Sequence, residues 1–283
     1  MIQSLWLDKI DLRDYPKLKE DIQTDVLVAG GGITGIASAY FLSQAGLKVT
    51  LLERGKLLHG TTGHTTGKVT LLQSLVYYDL LKKHGLNKVQ QYVDSHKEAF
   101  GLINDIIKEL NISCDYETVT TYIYTQNDKK VKDIEDEYNA AQKLNLNCFM
   151  QTKSSLPFMV KSMLGFNNQG HFHVVKYLKP LIDEITKKNG CFIYENSKVI
   201  KIGEKNNVCL TQLENGCRVI SSHVVIATHY PCKELYNSYF MKLKPTVTYL
   251  TAGKYNLEVE NADFINVEKP KRTIRTHPVN GER

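Results

Sequence analysis

The chain has 283 residues, of which 42% are hydrophobic and 23% charged, with a formal net charge of +6. That length holds one large or two ordinary domains, the balance suits a soluble globular protein, and no apolar run approaches the length of a membrane span. The lysines fall in dispersed pairs (Lys82-Lys83, Lys129-Lys130, Lys187-Lys188) with acids between them, which describes a solvated surface rather than a nucleic-acid groove. Cys114, Cys148, Cys191, Cys209, Cys217 and Cys232 form no CxxC pair. They read as reduced thiols of a cytoplasmic protein, with no metal ligand set among them.

Residues 1–24 carry charges of both signs and no continuous apolar core, so they read as an N-terminal arm and not as a signal peptide. Asp25 to Glu53 then reads as strand, glycine turn, helix and second strand. Val26, Leu27 and Val28 form the first strand, Gly30, Gly32 and Gly35 give GxGxxG, and Ile36, Ala39, Tyr40 and Leu42 repeat with helical spacing. Gly46 ends the helix, Val49, Leu51 and Leu52 make the second strand, and Glu53 is its acidic terminus. This is the βαβ dinucleotide-binding pattern: the glycines allow a tight turn and close approach of a pyrophosphate, the helix start attracts anions, and the acid accepts from a ribose hydroxyl.

A loop rich in glycine and threonine follows (Gly60 to Lys68). The spacing predicts a helix over Asn87 to Leu110, a strand over Val119 to Tyr124, and a helix capped by Asp128. A third helix is expected over Val174 to Lys188, kinked or late-starting at Pro180. Strands are expected over Cys191 to Tyr194, Lys198 to Ile202 and Val208 to Leu213, with a turn at Asn215-Gly216 and a buried strand VVIA over Val224 to Ala227. The tail beyond Val247 has strand-like pieces. The first βαβ unit leaves NAD and FAD both open. The threonine loop, the strand at Val199 and the VVIATH segment favour the longer cofactor.

The segments DVLVAGGGITGIASAYFLSQAG, LLERG, GTTGHTTGKVT, GHFHVVKYLKPL, YENSKVIKI and VVIATHYP occur in family order. Through them the chain resembles the glycine/D-amino-acid oxidase (DAO) superfamily of FAD-dependent oxidoreductases over nearly its whole length. The arm with Trp6 and the threonine loop resemble a bacterial branch whose members often carry a C-terminal Rieske iron–sulfur domain. The resemblance implies an α/β fold: a Rossmann-like FAD-binding domain over 25–75 and 150–240, with an inserted α+β substrate domain over 76–149 and 241–283. It implies FAD as cofactor. Gly30, Gly31, Gly32, Ile33, Thr34 and Gly35 would hold the pyrophosphate, and Glu53 the adenosine ribose with Arg54 beside it. Thr61, Thr62, Thr65 and Thr66 would line the path to the flavin, with Lys68 near the ring. Val199 would meet the adenine through its backbone, and Ala227 and Thr228 would close the cleft.

The implied reaction is oxidation of an amine or amino acid by hydride transfer to flavin N5, with the electron acceptor undefined. No residue is assigned as catalytic. His64 is expected to stabilise its loop and His171 and His173 to start a helix. Tyr249, Arg272 and Arg275 fall in the expected substrate sheet, where an arginine would either pair with a substrate carboxylate or be a solvated surface group. Family members continue past the position of Arg283, and no CxH and CxxH pair is present, so the resemblance implies a chain shortened at its C-terminus. Two other readings stand beside it: an NAD-dependent dehydrogenase, and an inactive nucleotide-binding fragment.

Overall fold

The computed structural model describes residues 4–8, 10–230, 239–255 and 258–276. In chain order the elements are β1 (Ile22–Ala29), α1 (Ile33–Gln44), β2 (Val49–Leu52), a 3-10 turn (Thr61–His64), β3 (Lys68–Val69), α2 (Tyr77–Glu109) and β4 (Glu117–Thr125). A 3-10 turn (Asp128–Lys130), α3 (Val131–Lys143), β5 (Cys148–Gln151), β6 (Ser162–His171) and α4 (Val174–Lys187) follow. The remainder is β7 (Phe192–Tyr194), β8 (Val199–Lys205), β9 (Val208–Leu213), β10 (Arg218–Ile226), α5 (Tyr239–Lys242), β11 (Ala262–Asn266) and β12 (Thr273–Arg275).

The chain forms two compact units, residues 1–65 with 174–251 and residues 66–173 with 252–283. Residues 66–75 and 150–173, expected with the first domain, cluster with the second unit. The reason is strand pairing: β3 and β4 both bond to β6.

The first unit is a six-stranded sheet in the order β7-β2-β1-β10-β9-β8. The strands from β7 to β10 run parallel, while β8, β9 and β10 form an antiparallel meander. β1 is central, and Val26, Leu27, Val28 and Ala29 are all buried. Such a run, hydrophobic at successive positions, is what a parallel strand covered on both faces requires. α1 packs against α4, and Leu18 of the arm joins Leu27, Leu52, Leu213 and Val219 in the core. α4 runs unbroken from Val174 through Pro180, so its start is not late. The VVIA segment corrects an expectation. Val224 to Ile226 end the nine-residue β10, with Ala227 just past it, and the segment is not buried, since Ile226 is 47% exposed. Apolar character marked its pairing with β1, not full cover of its faces.

The second unit is a six-stranded sheet, β12-β11-β4-β6-β3 with β5 also on β6. Residues alternate between its faces. Ile123, Leu164 and Ile265 join Val89, Val93 and Ile134 of α2 and α3 in one core, while Tyr122, Tyr124, Met163 and Phe264 form another on the opposite side. α2 begins ten residues earlier than its periodicity suggests and breaks its helical backbone at Gly85 (φ 74°). Its start is fixed by a group far along the chain. The buried Glu137 of α3 accepts the backbone N–H groups of Val76, Tyr77 and Tyr78 at 2.7–2.9 Å. Asn127 caps the 3-10 turn that leads into α3, accepting from Lys129 N–H at 3.0 Å; Asp128 caps neither and pairs with Lys161. The strands of the tail begin later than expected, and Tyr249 lies outside them, 90% exposed.

Candidate functional site

The glycine turn of the first unit is built by backbone contacts. Gly30 leaves β1 with φ +116°, and a Cβ there would lie 2.4 Å from the carbonyl oxygen of Ala227. A side chain is therefore excluded both by conformation and by the neighbouring strand end. Gly35, one turn into α1, packs on Gly30 so closely that a Cβ would fall 1.8 Å from the Gly30 carbonyl oxygen. Ala227 N–H donates to Ala29 carbonyl at 2.8 Å, so the segment leading to Thr228 runs beside the turn. The chain passes from β1 to β2 on one side, and β10 returns on the other. The carboxyl ends of β1 and β10 thus form a topological switch point, where open parallel sheets leave a crevice for ligands.

The start of α1 lies at that crevice. Gly32 is its N-cap with no side-chain bond, and the first turn carries no acid. Ile33 N–H is taken by Thr62 Oγ1 at 2.9 Å, which ties the threonine turn to α1. Ile33 and Thr34 are exposed. Glu53, at the end of β2, accepts Gly31 N–H at 2.7 Å through one oxygen and Gly55 N–H at 2.8 Å through the other. Each carboxylate oxygen retains a lone pair, so the group held in place by the backbone can still accept from a diol. The cradle, the acid-free first turn of α1 and the anchored acid fit an adenine dinucleotide.

Residues 25–269 match the sequence profile of the DAO family, FAD dependent oxidoreductases. The chain belongs to this family. A putative Rieske 2Fe-2S iron-sulfur protein, YhfW, from Bacillus subtilis is 32% identical over 99% of this chain and 55% of its own length. The gamma-glutamylputrescine oxidoreductase of Escherichia coli is 26% identical over 75% of this chain and 50% of its own. Among solved structures, L-amino acid deaminase from Proteus vulgaris superposes with a TM-score of 0.59 at 16% identity, covering 76% of this chain and 50% of that one. Glycine oxidase from Geobacillus kaustophilus gives 0.58 at 15% identity, covering 73% and 55%. The chain spans about half the length of the curated relatives it matches.

In this DAO-family chain the other expected residues lie as follows. Arg54 is exposed beyond Glu53. The backbone of the neighbouring segment brackets that acid, with Ser197 N–H on Glu53 carbonyl at 2.8 Å and Asn196 N–H on Gly55 carbonyl at 3.0 Å. Val199 follows, its side chain packed on the core that contains Leu213. Thr61 is exposed, Thr62 buried and Thr65 half-buried, while His64 Nδ1 bonds the Gly60 carbonyl at 2.9 Å and so steadies its own turn. Glu195, which sequence alone does not single out, is buried and accepts from Leu57 N–H at 2.9 Å and Lys56 Nζ at 2.8 Å.

Thr66 and Lys68 belong to the second unit. There the strands bring ionisable groups together. Lys68 on β3 and Glu117 on β4 are both register partners of His171 on β6, and Asp263 on β11 faces Arg275 on β12. His171 is fully buried, with Nδ1 3.3 Å from Asp263 and Nε2 3.6 Å from Glu117. It ends a strand and does not start a helix; His173, directly before α4, is the one at a helix start. Arg275 is no surface arginine: its Nη1 donates to the carbonyls of Thr66 and Phe172, and burial lowers its pKa to about 10. Arg272 is exposed in the turn before β12. Lys68 Nζ and Asp263 Oδ2 are buried with no hydrogen-bond partner among the described residues. Burial lowers the Lys68 pKa to about 8, against the opposing pull of Asp263. Among the described residues no group of three or more His, Cys, Asp or Glu side chains could hold a metal. No helix there is long and apolar enough to cross a membrane.

Proposed function

We propose that the first unit binds FAD and that the chain forms part of a flavoenzyme oxidising an amine or amino acid. The observation that carries this reading is the meeting of the glycine turn, the anchored Glu53 and the end of β10 at the switch point of the sheet. Family membership selects FAD over NAD. The oxidoreductase acting on gamma-glutamylputrescine and the glycine oxidase among similar proteins support an amine or amino acid as substrate class. Bound FAD would supply the redox step, accepting at N5 a hydride from the carbon beside the substrate nitrogen.

The chain's own groups would do the holding. The backbone from Gly30 to Gly35, including Gly31, Ile33 and Thr34, would meet the pyrophosphate with the α1 dipole behind it. Glu53 would accept from the adenosine ribose, and its charge would repel a 2′-phosphate. Arg54 would lie at the adenosine, Val199 would present backbone to the adenine, and Ala227 with Thr228 would wall the cleft. Thr61, Thr62, Thr65, Thr66 and Lys68 would extend the path toward the flavin. With its pKa near 8, Lys68 could hold or release a proton close to neutral pH. The first unit, 1–65 with 174–251, would be the FAD domain and the second, 66–173 with 252–283, the substrate domain, in place of the expected division into 25–75 with 150–240 and 76–149 with 241–283. The free thiols Cys148, Cys191, Cys209 and Cys217 support a reducing, cytoplasmic setting.

The test is to titrate the purified chain with FAD and with NADH, then add candidate amines without oxygen. Yellow protein with bound FAD, bleached by an amine, supports the reading, and Glu53→Gln should weaken FAD about tenfold. Protein that ignores FAD but binds NADH would establish the dehydrogenase, and flavin binding without bleaching would leave a nucleotide-binding fragment.

A further inference from the structure

We propose that residues 4–7 form a strap that holds the threonine turn in the geometry FAD binding needs, with Trp6 and Ser4 as positioning residues. This rests on the FAD reading above. Trp6, the single tryptophan of the chain, is 4% exposed, and its indole N–H donates to the Thr65 carbonyl at 2.5 Å. The Ser4 hydroxyl donates to the Gly63 carbonyl. Leu7 covers the same glycine, where a Cβ would lie 2.9 Å from Leu7 Cδ1. The arm thus grips the turn at Gly63 and Thr65, on either side of His64.

The turn needs such support. It is a four-residue 3-10 element, a short form with poor hydrogen-bond geometry. The bond closing its far end, Thr65 N–H to Thr62 carbonyl, is long at 3.5 Å. Its inner residue, Thr62, reaches across to Ile33 N–H at 2.9 Å. Contacts therefore run from the arm through the turn to the helix start proposed to face the pyrophosphate. The arm is itself prefolded: Leu7 and Asp8 N–H donate to the Ser4 carbonyl at 3.3 and 3.1 Å, and Trp6 N–H to the Ser4 hydroxyl at 3.2 Å. A strap ordered in advance spares ligand binding the entropy of freezing residues 61–65.

Trp6→Phe and Ser4→Ala test the strap, with Asp14→Asn as control, since Asp14 reaches Lys56 from the same arm. Amide exchange of residues 33 and 61–65 in the FAD-free chain reads the turn directly, and FAD affinity is read by flavin fluorescence. Trp6→Phe should speed exchange in the turn and weaken FAD about tenfold, and Ser4→Ala about threefold, as expected for losing one neutral hydrogen bond. The control should change neither. Unchanged exchange in both variants, or faster exchange with wild-type FAD affinity, would overturn the strap. Should Trp6→Phe fail to fold, Ser4→Ala decides alone. A wild-type chain that orders the turn yet has no affinity for FAD would instead bring down the FAD reading, and the positioning role with it.

Discussion

The two units treat charge in opposite ways. Around the glycine turn of the first unit the one acid, Glu53, is held by backbone N–H groups only two and twenty-two positions away in sequence. In the second unit Lys68, Glu117, His171, Asp263 and Arg275 come from five different strands and meet inside the protein. The first arrangement is made of backbone and missing side chains, so it tolerates almost no added atom. The second is made of side chains whose charges must balance, so it tolerates little loss of a partner. A backbone-built site is a local property of the chain, whereas a charge cluster is a property of strand order.

Substitutions can break this contrast. The largest effect is expected at Gly35, where a Cβ would overlap the Gly30 carbonyl at 1.8 Å. Gly35→Val should cost more than about 4 kcal/mol and leave little soluble protein, and a soluble variant with wild-type melting would refute the tight helix–turn contact. Next is Asp263→Ala, which removes the buried carboxylate that acts on both Lys68 and Arg275. Urea unfolding should register a loss of about 3–5 kcal/mol, and a loss below about 1 kcal/mol would mean that the cluster is solvated.

Lys68 sharpens the comparison through pH. Its unfolded value is the ordinary 10.5, and its folded value is about 8. Between the two, the unfolded chain binds more protons, so stability attributable to this group rises with pH, by at most about 1.4 kcal/mol per unit. Below pH 8 the full cost of burying the charged amine is present and constant. Wild type minus Lys68→Met, unfolded in urea from pH 7 to 11, should show that rise, and a flat difference would place the amine in water. The smallest effect belongs to Thr62→Val, which removes the acceptor from Ile33 N–H and should cost about 1 kcal/mol, in line with other helix N-terminal contacts.

How much was legible follows the same division. The strand, turn, helix and acid between Ile22 and Glu53 could be read because each step is enforced by neighbours in sequence. β6 could not: its run GFNNQGH is polar and glycine-rich, and only its position between β4, β5 and β3 makes it a strand. At Gly165 the rings of Phe149 and Tyr122 fill the space a side chain would need, a constraint set by β5 and β4, not by neighbours in sequence. His171 had no local signal of its partners, which lie 54 and 92 positions away.

The sequence by itself determined the βαβ cradle, the acid at its end and the family, because glycine sterics and hydrophobic period act over a few residues. Tertiary structure decided the rest. Pairing of β10 with β1 brought Ala227 and Thr228 to the glycine turn, the arm was laid on the threonine loop, and five strands gathered the buried charges. These contacts join residues far apart along the chain, and only the packed sheets fix which of them meet.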